Sequence, residues 1–401
     1  MEKKLDKVYE DISEENAILT TVAEENLAGV RTVKAFAREK FEIEKFLSHN
    51  KRYYELNMQQ SKTLVRYYPF FQFVGTMLPV VCTILGGFSV LKNEMDIGSL
   101  VAYVEYSRNC TWPMQMLGWL ANDISSAFAS KKKIDKIVNQ HANLTEPDEP
   151  VILEKIKGEI TFENVSFSVE DKDILQDISF AVPQGKTLGI MGATGSGKST
   201  IVNLMQRFFD PVKGKVYLDG VDIKDLSFRQ VRGSNAVVMQ DVFLFSDTIA
   251  ENIKMGKRAT MPLEDIQKAS AFAQARDFIE DLENEYDTVI GERGVGLSGG
   301  QKQRISIARA VSKHAPILVM DDSTSALDME TEREIQKELE QLEETTKIII
   351  AHRISAVRHA DEIIYLENGR IAERGTHEEL LEKKGLYYDT YVVQYGVPVT
   401  V

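Results

Sequence analysis

One nine-residue run, Gly192-Ala193-Thr194-Gly195-Ser196-Gly197-Lys198-Ser199-Thr200, constrains the fold of this chain more than any other feature. It fits the spacing G-x-x-x-x-G-K-[S/T]. The apolar run Thr187–Met191 precedes it, and Ile201–Phe209 follows it. The first reads as a buried strand and the second as the helix that the loop feeds, which predicts an α/β unit. Glycines let the loop backbone curl until successive N–H groups point at one place, at a helix N-terminus. Such a loop holds phosphate. Lys198 adds a point charge for β- and γ-phosphates, and the Ser199 hydroxyl is placed to hold Mg²⁺.

A second peptide, Leu297-Ser298-Gly299-Gly300-Gln301, lies roughly a hundred residues further on and opens another predicted helix, Gln303–Ser312. It is a second phosphate-facing N-terminus, and one nucleotide site has no use for two. With these two peptides in this order, the chain resembles the ATP-binding-cassette (ABC) superfamily. There the pentapeptide of one cassette closes over the ATP held by the loop of another. Further elements match in order. Gln240 follows the apolar strand Ala236–Met239 and resembles the glutamine that senses the γ-phosphate and the metal. Asp321 ends the strand Ile317–Met320 and resembles the Mg²⁺-anchoring carboxylate. Ser325-Ala326-Leu327-Asp328 resembles the loop linking the two sites, and His352, after Ile348–Ala351, resembles the switch histidine on the γ-phosphate. The resemblance therefore implies an ATP site at Gly192 to Thr200, with Mg²⁺ on Ser199, Gln240 and Asp321. It implies chemistry at Asp322, Gln240 and His352, and a capping surface at Ser298, Gly299, Gly300 and Gln301 for a second subunit.

Length and charge bound the rest. The 401 residues have room for more than one domain. A net charge of -13 argues against a nucleic-acid surface, so no nucleic-acid partner is expected. The two cysteines, Cys82 and Cys110, sit in apolar sequence and make no disulfide framework. Tyr67–Leu91 runs 25 residues without a charge, long enough at about 1.5 Å per residue to cross a bilayer. The polar loop Lys92–Asp96 follows, then a weaker apolar stretch, Gly98–Ala121, which carries Glu105, Arg108 and Pro113. Lys51, Arg52, Lys62 and Arg66 lie before this hairpin and Lys131-Lys132-Lys133 after it, which puts both ends in the cytoplasm and the loop outside. Glu105 and Arg108 share a helix face, either as a neutralised pair or as lining of a pathway.

The expected organisation is a partial, α-helical transmembrane domain of ABC exporter type over residues 1–140, with spans at about 67–91 and 98–121. A linker follows at 141–157, then an α/β P-loop ATPase domain of ABC type at 158–393. Glu25–Glu39 resembles an exporter's intracellular loop, with Val33–Arg38 as its coupling helix. Tyr286–Gly294 resembles the loop that touches such helices. Exporters of this class usually carry six spans before the ATPase, so the resemblance makes this chain an amino-terminally incomplete half. Its expected setting is the cell membrane, multi-pass, with the ATPase in the cytoplasm. Its expected partners are the bilayer, an exported substrate and a second exporter subunit.

Two positions depart from the family pattern. Asp322 stands where the water-polarising residue is usually glutamate, one methylene longer. Val169 stands where an aromatic stacks on adenine, with Phe167 the alternative if the register slips. A short base beside an intact Leu297–Gln301 resembles one half of a heterodimer with one slow and one fast site. The rival readings are a regulatory module that holds ATP without pumping and a soluble ABC ATPase acting on nucleic acid. Asp322 and Val169 favour the first rival, whereas the Tyr67–Leu91 segment and the acidic charge oppose the second.

Overall fold

The structure is a computed structural model; it describes residues 2–140, 142, 144–170, 172–256, 261–291, 294 and 296–396. The chain divides into two compact units, Met1–His141 and Ala142–Val401.

The first unit is helical. Helices α1 (Glu2–Ala28), α2 (Val30–Ala35), α3 (Glu39–Leu91) and α4 (Ile97–Val138) follow one another. Helices α1 and α3 bury Val8, Leu19, Val22 and Leu56 and are tied by His49 to Glu15 at 2.7 Å. The expected first span is the last part of a 53-residue helix, because nothing in residues 39–66 breaks it and neither Pro69 nor Pro79 does. The tolerance follows from long helices kinking at proline without ending there. Among the described residues, Gln72–Leu91 is the stretch long and apolar enough to cross a membrane. The hairpin turns at Lys92–Asp96, where Asp96 caps α4 by accepting from the Ser99 N–H at 2.6 Å. Gly86 lets the two helices approach, since a Cβ there would overlap the Leu100 side chain. Glu105 and Arg108 pair at 3.7 Å on α4. The expected coupling helix at Val33–Arg38 corresponds to α2, which ends three residues earlier.

The second unit contains two sheets. Strands β1 (Ile160–Val169), β2 (Lys172–Val182), β4 (Lys213–Leu218) and β5 (Val221–Asp222) form an antiparallel sheet in the order β2-β1-β4-β5. A six-stranded sheet runs β10-β9-β3-β8-β7-β6, built from β3 (Thr187–Gly192), β6 (Asn235–Val238), β7 (Ile317–Asp321), β8 (Thr346–Ile350), β9 (Glu362–Glu367) and β10 (Arg370–Gly375). Its strands β9, β3, β8, β7 and β6 are parallel, and β10 closes one edge antiparallel. Helix α5 (Lys198–Met205) follows β3, and α6 (Phe228–Gly233) precedes β6. Helices α7 (Ile249–Ile253), α8 (Leu263–Phe272), α9 (Arg276–Glu280) and α10 (Gly299–Val311) lie between β6 and β7. Then come α11 (Met329–Glu340), α12 (Ile354–Val357), α13 (His377–Lys383) and α14 (Leu386–Tyr395). The core strands read Ile317-Leu318-Val319-Met320 and Lys347-Ile348-Ile349-Ile350 because a parallel strand covered on both faces has no solvent side to supply alternation.

The stretch expected as a linker is fastened to the second unit. Arg207, 4 % exposed, donates to the Thr145 carbonyl at 2.9 Å, and Gln230 brackets Val151 and Leu153 through both ends of its amide.

Candidate active site

Four neighbouring strands end on the same edge of the large sheet. The phosphate loop leaves β3, Asp321 ends β7, and Gln240 and His352 each stand two residues beyond β6 and β8. The register makes this tight: Ile190 pairs with Ile350, Ile350 with Asp321, and Met320 with Val238. Ligands of open α/β sheets bind outside the carboxyl ends of the strands, and this is that edge.

The loop is held open by its glycines. Gly197 caps α5 at φ +102, and a Cβ there would meet the Leu175 side chain at 2.5 Å. Gly192 has φ +145 and presses on the Leu366 carbonyl. Because Gly197 already turns the chain, α5 begins at Lys198, three residues before the expected helix. Lys198 is 7 % exposed, and its Nζ donates to the carbonyls of Gly192 and Ala193, each at 2.8 Å. Burial pushes the Lys198 ammonium below its ordinary pKa, opposed by the Asp321 and Asp322 carboxylates. Burial pushes the Asp321 carboxyl up, opposed first by a hydrogen bond from Ser199 and then by Lys198 and His352, while Asp322 adds to the rise.

These groups suit a nucleotide with its metal. The Ser196 hydroxyl is buried in the loop with no hydrogen-bond partner, an arrangement that a phosphate oxygen would satisfy. Lys198 is a cation whose ammonium lies against backbone carbonyls, and the Asp321 carboxylate and Ser199 hydroxyl offer hard oxygen donors side by side. Among the described residues no cluster of three His, Cys, Asp or Glu side chains forms a metal cage. Mg²⁺ needs none, since it keeps waters and is bound through one or two carboxylates plus substrate phosphates.

Asp322 follows at φ +45, a left-handed turn held by its N–H donating to the Ile350 carbonyl at 2.9 Å. Gln240 and His352 are both exposed, and His352 is near enough to act on the Asp321 carboxylate.

Ser298 and Gln301 sit on a different element. Ser298 caps α10 in a capping box: its Oγ accepts from the Gln301 N–H at 3.3 Å, and its N–H donates to Gln301 Oε1 at 2.9 Å. This cap starts the helix at Gly299, four residues before the expected start. Gly300 lies against the Ala326 carbonyl, so the pentapeptide adjoins the Ser325–Asp328 loop. Gln303, a residue the motifs do not mark, joins them. It accepts from the Ala326 N–H at 3.1 Å, and its Nε2 faces Ser325 Oγ at 3.4 Å. No local spacing marks it, since residues two apart on a helix do not share a face. Asp328 caps α11 through the Thr331 N–H at 2.9 Å. In Tyr286–Gly294, Glu292 and Arg293 lie outside the described residues.

Strand β1 carries both residues weighed for adenine stacking, Phe167 and Val169. Phe167 is 7 % exposed and packs against Phe209 with ring centroids 5.4 Å apart, so it is core and not a free stacking face. Val169 is 46 % exposed at the tip of the β1–β2 hairpin, paired with Lys172. Val169→Tyr is expected to tighten ATP binding about tenfold, since base–aromatic stacking contributes about 1–3 kcal/mol. Calorimetric titration of the purified protein reads this directly, and an unchanged Kd would take residue 169 away from the base.

Comparison with known proteins agrees with this fold. The family profile described as ABC transporter matches residues 175–325, and that described as ABC transporter transmembrane region matches residues 1–114. The ABC transporter ATP-binding protein YknU of Bacillus subtilis (strain 168) is 41% identical over 98% of this chain and 68% of its own length. An ATP-dependent lipid A-core flippase of Syntrophus aciditrophicus (strain SB) is 37% identical over 94% of this chain and 63% of its own. The structure of a bacterial Atm1-family ABC exporter with ATP bound superposes with a TM-score of 0.91 at 31% identity, over 98% of this chain and 70% of the other. The chain thus spans about two thirds of the length of these relatives. It belongs to the ABC transporter family, as an exporter-type half in which a transmembrane region and an α/β ATPase domain share one polypeptide.

Proposed function

We propose that this chain is the ATP-binding and permease subunit of an exporter, coupling ATP binding and hydrolysis to movement of a substrate across the membrane, and that it works facing a different subunit. The reaction is in-line attack of water on the γ-phosphoryl group, which is helped mainly by positioning and charge. Lys198 exchanges its Gly192 and Ala193 carbonyls for β- and γ-phosphate oxygens, and the Ser196 hydroxyl gains a partner. Ser199, Gln240 and Asp321 would hold Mg²⁺, which when bound would neutralise phosphate charge. Asp322 orients the attacking water, and His352 steadies the γ-phosphate.

The observation that carries the asymmetric reading is Asp322, a carboxylate one methylene shorter than the family's glutamate, in a chain whose Ser298–Gln301 cap is fully formed. A displacement near 1 Å costs on the order of a hundredfold in rate, so this chain's own site is slow. The site it completes on the facing subunit is fast. The test compares Ser298→Arg with Asp322→Ala on total hydrolysis: a far larger loss from the first supports the reading, and equal losses end it. The weakened base and missing aromatic also favour a second reading, an ATP-holding regulatory module. Turnover with the partner subunit present would separate the two, since that module hydrolyses nothing.

The hairpin reading is testable alone. A cysteine introduced at Glu94, in the Lys92–Asp96 turn, is expected to react with an impermeant maleimide in intact cells. Glu94 is preferred to Asn93, whose φ of +57 would strain a cysteine. Labelling only after permeabilisation would reverse the topology.

A further inference from the structure

The loop that carries His352 is gripped from two sides. On one side stands α11. Its Glu332, 3 % exposed, accepts from Ser355 Oγ at 3.3 Å and from Thr324 Oγ1 at 3.2 Å and pairs with Arg353 at 3.6 Å. Gln336 donates to the Ser355 carbonyl at 2.9 Å. These contacts hold residues 353 and 355. They leave the His352 backbone itself to the other side, helix α14. There Gln394 Nε2 donates to the His352 carbonyl at 2.6 Å while its Oε1 accepts from the Ile354 N–H at 3.0 Å. The amide can face only one way, since a carbonyl can only accept and an N–H only donate. One side chain therefore closes a ring around the His352–Ile354 backbone.

Helix α14 is seated independently of that contact. Tyr387 is completely buried, and its OH lies 2.7 Å from His377 Nδ1. The Glu373 carboxylate caps the first turn, accepting from the N–H groups of Leu386 at 2.6 Å and Tyr387 at 3.1 Å. The helix is thus a fixed post, and Gln394 at its far end is a reach from that post to the switch loop.

We propose that Gln394 is a positioning residue for hydrolysis, holding His352 at the γ-phosphate from the C-terminal helix. The proposal rests on the reading of His352 as a phosphate contact. Without the amide, residues 353–355 stay on α11, but the His352 end of the loop is released. Nucleotide binding, which depends on the phosphate loop, is unaffected.

The experiment is a double-mutant cycle in the assembled transporter carrying Asp322→Glu, a background in which this chain's own site contributes turnover whichever subunit faces it. Gln394→Leu is expected to lower the kcat of that contribution about tenfold with the KM for ATP unchanged, since sub-ångström misplacement is enough for such a loss. His352→Ala is expected to do the same or worse, and adding Gln394→Leu to it should cost nothing more. Gln394→Glu keeps the acceptor for Ile354 and sets a carboxylate against the His352 carbonyl, so it should reproduce the loss without disturbing the apolar packing of α14. If His352→Ala slows hydrolysis while both Gln394 variants keep the rate, or if the losses simply multiply, Gln394 does not act through His352. If His352→Ala itself keeps the rate, the site reading fails and this inference fails with it.

Discussion

Lys198→Ala is expected to reduce hydrolysis at this chain's own site by more than about a hundredfold and to weaken ATP binding there, the largest effect of any single change on that site. The phosphate loop, Gly192 to Thr200, contains one cation, so no neighbour can take over the charge. The loss is compounded by what remains. Asp321 and Asp322 both act on Lys198, and without it two carboxylates face the incoming phosphates with no cation of the loop between them. Lys198 is also 7 % exposed and donates to two carbonyls, so its removal leaves Gly192 and Ala193 without those partners. A thermal unfolding curve should accompany the nucleotide measurements to show that the cassette remains folded. Unchanged affinity and turnover would remove the phosphate-loop assignment.

Ser298→Arg is expected to abolish most of the total ATPase, whereas Asp322→Ala lowers it only mildly and Asp322→Glu raises it. Ser298 opens α10 with its N-terminal dipole outward, and an arginine there sets bulk and positive charge where the facing subunit's phosphates approach. Loss of the cap is a separate effect worth about 1 kcal/mol of stability, which Ser298→Ala measures alone. On the proposed asymmetric reading, Asp322 acts on the nucleotide this chain itself holds, so its removal touches only the slow site. In a homodimer both sites would depend equally on both residues. Comparable silencing by Asp322→Ala and Ser298→Arg would make Asp322 a working base and the pair symmetric.

Much of the site could be read before folding because its chemistry is local. The loop Gly192–Thr200 works through its own backbone and its own helix, and the Ser298–Gln301 box is closed within four residues. Phe167 was ambiguous for the opposite reason: whether a strand aromatic is core or stacking face depends on which side of β1 is covered, and Phe209 covers it. The long helices show the same limit. Residues 39–91 read as a charged segment followed by a span, and they form one helix because hydropathy changes along it without any residue that stops it.

The sequence by itself determined the reaction class and the family, and it marked the Gly192–Thr200 loop and Asp322 as candidates, since each depends on residue types at short fixed spacing. Only the tertiary structure decided that β3, β8, β7 and β6 stand side by side and so bring Lys198, His352, Asp321 and Gln240 to one edge, across as many as about 160 residues of chain. The same holds for Gln303, Glu332 and Gln394. Apart from the bond of Glu332 to Thr324, eight residues away, their hydrogen bonds span 19 to 42 residues, a separation over which no local spacing predicts a partner, because the geometry is set by how helices pack on the sheet.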